Sequence, residues 1–388
     1  MGSQADVLAL PFDEFRQAQA QWDELVAATR GATPFLTHPW LTAFWNHFGA
    51  GHGFSSLVVR EEGRWLAAAP MALRRVRFAG RRLVVAEIAG TGPVPTRGMG
   101  LADRVDLLVR DDAPQARAAL CAAVARLLQR ADVIDLKALD AASPTVPALI
   151  EVAPRSARIL RHSLSPCLPL GFEWADYLAS RSQKFRKNLK RCARKLEELG
   201  PTAAARLGPG DDARLWMDEV LEVDAASWKA RRGTNLFRDP ALRAFFTDLV
   251  PRLHERGLID LHVLRVAGRA LAYELGFDFK NRIVAYNAAF DREHVEASPG
   301  TLVTAAVVRA ACERARDEYD MGRGRDEYKV RWGGALRTQV EIVIPAHRPR
   351  ARLYAAAGLA LKTRLKGWHW LAELDDRLTG LRARWRST

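Results

Sequence analysis

Two short segments of this chain repeat each other, and a repeat constrains the fold more than any single motif does. "VVREEGRWLA" runs from Val58 to Ala67, and "VLRVAGRALA" from Val263 to Ala272. Each holds an apolar strand, an arginine, two residues, Gly-Arg, and a second strand ending Leu-Ala. Gly63 and Gly268 stand at the same place, an offset of 205 positions. A glycine there supplies the positive φ of a short hairpin turn. A second echo follows each hairpin. A helix opening near Pro114 leads to a strand with Asp135, and one opening near Pro299 leads to a strand with Asp320. The Pro-to-Asp spacing is 21 in both copies. Proline costs nothing in a first helical turn, where its missing N–H has no partner anyway. The pattern predicts an α/β chain of two tandem halves, each with a hairpin, a further strand, a long helix and a closing strand. Unrelated hairpins and helices that happen to recur are the plainer alternative.

Between the halves lies "SQKFRKNLKRCARKLEELGP". Phe185, Leu189, Cys192, Leu196 and Leu199 step by 4, 3, 4, 3, which predicts an amphipathic helix. Ser182 suits its start, and Gly200-Pro201 its end. Its other faces carry Lys184, Arg186, Lys187, Lys190, Arg191, Arg194 and Lys195. That charge reads either as a solvated helix back or as a surface for phosphate or nucleic acid. "GPTAAARLGPGDDA" predicts a weakly structured connection. A helix is expected from about Asp212 to Trp228, then a loop "KARRGTNLFRDP", then a helix to about Arg256. Residues 346–388 read as a basic helical tail. With Trp368, Trp370 and Trp385 beside lysine and arginine, it suits packing on the body or peripheral contact with a membrane.

The charge balance sharpens the choice of partner. The 388 residues carry a net charge of +14, with a sequence pI near 10.1, which favours an anionic ligand or surface. Cys121, Cys167, Cys192 and Cys312 lie far apart without a C-x-x-C, so no disulfide framework or zinc knuckle is expected. The nine histidines are scattered singly and make no ligand set, so no metal is expected. The opening "MGSQADVLALPFDEF" lacks the basic and apolar regions of a signal peptide, so a cytoplasmic location is expected, with the inner membrane face as a second site through the tail.

Four stretches offer chemistry. "ASPGTL" follows a strand and a polar loop and opens a helix, a layout that favours a pyrophosphate at Ser298, Pro299, Gly300 and Thr301. An ordinary helix start is the bland reading. The strand "LAYELGFDF" sets Leu271, Tyr273, Leu275 and Phe277 on one face and Glu274 on the other. Glu274 reads equally as a general base with a pKa raised by burial or as an ion-pair partner of Arg269 or Arg282. "SWKARRGTNLF" offers Trp228, Arg231 and Arg232 as a substrate rim, or simply a solvated loop. "YDMGRGRDEYKVRWGG" matches no Walker loop, Rossmann fingerprint, nucleophile elbow or metal motif.

That last stretch resembles the "fDfgrGdepYKxxWg" signature of the cellulose-biosynthesis-type (CelD/BcsL) acetyltransferases. These are members of the GNAT superfamily, close to the FemAB-like peptidyltransferases. "TPFLTHPWLTAFW", "AAAPMAL", "SQKFRKNLKR", "SWKARRGT" and "ASPGTL" resemble the same group, so that the likeness spans most of residues 8–345. It implies tandem GNAT-like halves with mixed, largely antiparallel sheets flanked by helices: residues 1–165, and residues 166–345 as the donor-binding and catalytic half. The implied activity is acyl transfer from acetyl-CoA or another acyl-CoA to an amine or hydroxyl of a small-molecule, saccharide or envelope precursor. FemAB-like relatives imply aminoacyl-tRNA as an alternative donor. A non-catalytic nucleic-acid or membrane-surface binder is a reading of another class. The motif carries over to Asp320, Gly324, Tyr328 and Lys329, and "ASPGTL" to the place where the superfamily cradles the donor's pyrophosphate. The usual Q/R-x-x-G-x-G/A is reduced to Gly300 alone. The implied roles are Glu274 as base, Tyr328 as acid for the leaving group, Lys329 as a countercharge and Asp320 as part of the catalytic set. Lys184, Arg186, Trp228, Arg231 and Arg232 are expected to bind substrate.

Overall fold

The computed structural model describes residues 6–94 and 99–358. The first half runs β1 (Asp6–Leu10), α1 (Phe12–Gln17), α2 (Gln19–Ala27), α3 (His38–Phe48), β2 (Gly53–Glu61), β3 (Arg64–Phe78), β4 (Arg81–Ile88), β5 (Leu108–Val109), α4 (Ala116–Arg126), β6 (Val133–Asp140), α5 (Thr145–Val152) and β7 (Arg158–Pro169). Helices α6 (Trp174–Ser180) and α7 (Gln183–Glu197) lead into the second. That half runs β8 (Thr202–Arg206), α8 (Ala213–Ala226), α9 (Trp228–Arg231), α10 (Pro240–His254), β9 (Ile259–Val266), β10 (Arg269–Phe279), β11 (Arg282–Phe290), α11 (Pro299–Glu313), β12 (Glu318–Asp320), α12 (Glu327–Arg331) and β13 (Ala335–Pro345). Residues 349–358 are helical, and the three tail tryptophans lie outside the described residues.

The duplication is visible in the sheet. Its strand order is β1-β2-β3-β4-β6-β13-β7-β12-β11-β10-β9-β8, with β5 on β3. The order is unchanged if β1, β2, β3, β4, β6 and β7 trade places with β8, β9, β10, β11, β12 and β13. Both repeated hairpins turn on two positive-φ residues, Glu62-Gly63 and Ala267-Gly268, the signature of a type I′ turn matched to strand twist. The last strands are exchanged. β7 of the first half pairs with β12, while β13 of the second pairs with β6, and the two lie antiparallel at the centre. A boundary at 165/166 therefore falls inside β7, and residues 335–345 complete the first half's sheet.

Local chemistry explains the elements around the site. The Ser182 hydroxyl accepts from the Phe185 amide at 3.2 Å and starts α7, worth about 1 kcal/mol. Leu189 and Leu196 are buried against α11 and the sheet, each contributing roughly 1.5–3 kcal/mol, and Cys192 is buried between them in sequence. Three sequence expectations are corrected. The alanine-rich "TAAAR" is an edge strand, β8, because its backbone pairs with β9 whatever its weak propensity. "KARRGTNLFRDP" is not all loop, since α9 and a 3-10 turn at Leu236–Arg238 fall within it. Leu271 packs with Ala272, Leu264 and Val303 and not on the face of Tyr273, because a bulge between Ala270 and Ala272 breaks the two-residue alternation. No helix among the described residues is long and apolar enough to cross a membrane.

Candidate functional site

β11 and β12 run parallel for three residues only, Arg282–Val284 against Glu318–Asp320. β11 then continues to Phe290 along β10 alone, so its other edge loses its strand partner beyond Val284. The parting coincides with a bulge. Leu275 opposes Asn287 but Gly276 opposes Ala285, which leaves Tyr286 extra. Gly276 permits this: a Cβ there would lie 2.7 Å from the Val284 carbonyl oxygen. Above the gap, Ser298 takes a left-handed conformation (φ 53) and opens α11 with Pro299 in the first turn. A Cβ on Gly300 would touch the Phe290 ring at 3.0 Å, so this glycine lets the helix start sit down on β11. The amides of a first turn have no acceptor of their own in the helix. Thr301 N is the exception here, bonded to Ser298 O at 3.0 Å.

Glu274 lies beneath α11. It is buried, and its two oxygens accept from the Tyr319 hydroxyl and from Thr304 Oγ1, the latter at 2.9 Å. Burial raises its pKa, while the two hydrogen bonds pull the other way. It contacts neither arginine considered from sequence: Arg269 bonds Asp291 at 2.7 Å. His262 faces Glu274 across the β9–β10 register, with Asp260 3.3 Å from its Nε2. The Tyr328 ring is half exposed, but desolvation at its hydroxyl pushes its pKa up, with Glu274 and Asp326 adding to the effect. Glu274 is therefore tied by hydrogen bonds to Tyr319 and to Thr304 of α11, and its charge is felt by Tyr328.

The remaining candidates sit elsewhere. Lys329 is buried, with its ammonium 2.7 Å from the Arg323 carbonyl oxygen and 3.5 Å from Asp326; it ties down the turn before α12. Asp320 points to the first half, where Arg104 pairs with it, and accepts from the Gly322 amide at 3.0 Å. Arg186 donates to the last carbonyls of α6, Leu178 and Ala179. Lys184 is exposed on the outer face of α7. Arg231 and Arg232 are exposed, and Arg232 lies 5.3 Å over the Trp228 ring.

Sequence reasoning missed a polar cluster on the other face of β10. Asp224, fully buried, accepts from Asn235 Nδ2 at 2.9 Å, the Phe237 amide at 3.0 Å and the Tyr273 hydroxyl at 3.0 Å. Asn287 bonds the same hydroxyl, and Lys229 Nζ donates to the Ala288 carbonyl at 2.6 Å. Together these groups hold the free half of β11. One available signal was a carboxylate in the apolar run "VLEVDAA". A cavity of about 270 Å³ opens between the two halves. It touches Asp320 and Val284 but none of Glu274, Tyr328 or the start of α11. Hydrogen bonding and the strand gap, rather than this cavity, mark the candidate site.

Residues 183–330 match the family described as acetyltransferase (GNAT) domain. No curated protein sequence matches the chain. Among solved structures, FemX is 13% identical with a TM-score of 0.62, over 86% of this chain and 98% of FemX. The C-terminal domain of an Agrobacterium fabrum protein named for lysylphosphatidylglycerol synthesis is 10% identical with a TM-score of 0.55, over 89% of this chain and 97% of that one. Identities this low speak to the fold alone. Residues 183–330 are thus similar to the acetyltransferase (GNAT) domain family, within a two-half α/β fold similar to that of FemX.

Proposed function

We propose that the chain is an acyltransferase whose second half takes an acyl group, acetyl in the first instance, from acyl-CoA and passes it to an amine or hydroxyl of a small-molecule or saccharide precursor. The observation that carries this reading is the parting of β11 from β12 beneath the N-terminus of α11. An extended, amide-bearing donor arm can add to the free β11 edge as a strand would. Its pyrophosphate suits the helix start at Ser298–Thr301. A neutral amine then attacks the thioester carbonyl, and a β11 amide donates to the oxyanion that forms. The carbon–sulfur bond breaks, the thiolate takes the Tyr328 proton, and the new ammonium returns a proton to the tyrosinate through water. Desolvation keeps Tyr328 protonated in the free protein, so it holds a proton to give once the bound donor and its developing thiolate lie beside it. Both Glu274 oxygens are engaged, so in this reading Glu274 sets the charge behind Tyr328 and does not touch substrate.

A second reading, transfer from aminoacyl-tRNA, draws on the exposed Lys184, Lys187 and Lys190, none with a carboxylate within 4.0 Å among the described residues. Thermal unfolding separates the two. A saturable rise with acetyl-CoA, about 2.7 kcal/mol at a hundredfold excess over Kd, is expected. No rise with acetyl-CoA, together with steeply salt-dependent tRNA binding, would transfer the case to the second reading.

A further inference from the structure

The cavity between the halves carries charges that the acyl-transfer reading does not use. Gly31–Phe35, Arg104–Asp106 and Asp140 with residues 142–144 of the first half form one side, and Phe279, Arg282, Val284, Glu318 and Asp320 of the second form the other. Its walls are largely apolar, with Pro34, Phe35, Val105, Phe279 and Val284 among them. Three guanidiniums line it, and two are spoken for. Arg104 pairs with Asp320 and stands 3.8 Å from Asp140. Arg337 holds Glu318 through two parallel bonds. The Arg282 side chain makes no hydrogen bond or ion pair among the described residues and is half-buried at the cavity wall. The Thr33 hydroxyl, on the opposite wall, is shielded from solvent and has no partner among the described residues, a state that costs about 1–3 kcal/mol until something bonds to it.

We infer that this cavity is a binding site for a small monocarboxylate with an apolar body, its carboxylate on the Arg282 guanidinium. Arginine presents a planar fork that matches a carboxylate bidentately. The apolar walls account for the body, and a volume at the small end of ligand pockets limits its size. The charge count sets the valence. Arg104, Arg282 and Arg337 face Asp140, Glu318 and Asp320, so the lining is balanced before a ligand enters. The fourth acid, Asp106, is engaged by the Leu107 amide and the Ser143 hydroxyl. One negative charge finds Arg282 unengaged, whereas the second charge of a phosphate monoester would meet carboxylates. A ligand here would touch both halves at once, with Thr33 from one and Arg282 from the other.

The test uses the full-length chain, with benzoate, its neutral counterpart benzamide, and phenyl phosphate as probes, and titration calorimetry as the readout. Benzoate is expected to bind saturably and to outbind benzamide and phenyl phosphate. Arg282→Gln should weaken benzoate about tenfold or more, the value of a charged hydrogen bond, and Thr33→Val a few-fold. Arg282→Gln should leave the melting curve unchanged, because the Arg282 side chain has no hydrogen bond or ion pair among the described residues. Benzoate binding that is absent, or unchanged in Arg282→Gln, overturns the site. Phenyl phosphate binding more tightly than benzoate overturns the monocarboxylate assignment. None of these outcomes depends on acyl transfer, so the site stands or falls apart from that reading.

Discussion

Replacing Asp320 by Asn tests whether this carboxylate clasps the halves together or takes part in chemistry. Its side chain is 3% exposed, and that of Arg104 is 13% exposed. Burial works against the Arg104 charge, but Asp320 outweighs that loss and holds the guanidinium pKa above its ordinary value. Removing one partner of a buried pair costs about 3–5 kcal/mol, because the other charge is left uncompensated. Here Asp140, 3.8 Å away and partly exposed, offers only slight relief. Unfolding entropy of about 2.1 cal/mol/K per residue, over 388 residues, gives roughly 0.8 kcal/mol/K. Asp320→Asn should therefore lower Tm by about 4–6 °C in a single calorimetric transition, because the exchanged strands β7 and β13 join the halves. Arg104→Met should cost a similar amount. The double variant should cost no more than either single one, a coupling of about 3 kcal/mol or more. Turnover should follow stability if Asp320 is only a clasp. A Tm drop under about 1 °C, or additive single losses, refutes the clasp. A stable double variant without turnover would return Asp320 to the catalytic set.

Three further outcomes follow from the site. Tyr328→Phe should lower kcat about a hundredfold with the donor KM unchanged; steady-state kinetics showing a KM effect alone would remove Tyr328 as the acid. Glu274→Gln should stabilise the fold increasingly as pH rises. The folded carboxyl pKa is raised above 4.5, so the unfolded chain ionises first. Wild-type stability then declines from about pH 4.5 up to the folded value, losing about 1.4 kcal/mol for every pH unit in that interval. Denaturation curves at several pH values check this, and parallel pH profiles for the two proteins would contradict it. Gly276→Ala should cost about 1–3 kcal/mol, because its Cβ would lie 2.7 Å from the Val284 carbonyl; an unchanged urea midpoint would show that the bulge is not held by that contact.

What could be read from the sequence was local. Gly63 and Gly268 announced their hairpins because a two-residue turn has few conformations, and α7 was legible from one stripe and one capping serine. A further echo was there to be seen: "TPFLTHPWLTAFW" and "TNLFRDPALRAFF" sit 201 positions apart and open the equivalent helices α3 and α10. Pairing at long range was not legible. The exchange of β7 and β13 depends on registers between residues some 170 positions apart, and β8 owes its strand to β9. The site suffered for the same reason. Asp224, Asn235, Tyr273 and Asn287 meet only in the fold. Lys329 and Arg186 carry the right charge for phosphate, yet nearby carbonyls hold them.

The asymmetry between the halves has a physical cause in one connection. β4 and β6 also part after two paired residues, Val85–Ala86 against Val133–Ile134, so the first half has its own gap. Its link from β4 to α4 spans residues 89–115, long enough to fold back into that gap. The Leu101 and Ala102 amides bond the Gly90 carbonyl, and the Val105 amide bonds Ala138 of β6 at 3.1 Å. The fit is tight, for a Cβ on Gly90 would meet the Trp40 ring at 2.2 Å and one on Gly100 the Thr91 carbonyl at 2.3 Å. The first gap is thus closed by its own chain, and that same segment sends Arg104 to Asp320. In the second half the link from β11 to α11 is residues 291–298, and part of it is a 3-10 turn. Too short to return along β11, it leaves the strand edge open below a helix start. A strand edge left without a partner is costly unless something else pairs with it. The half with the short link is therefore the one whose strand edge is left free for the extended donor proposed above.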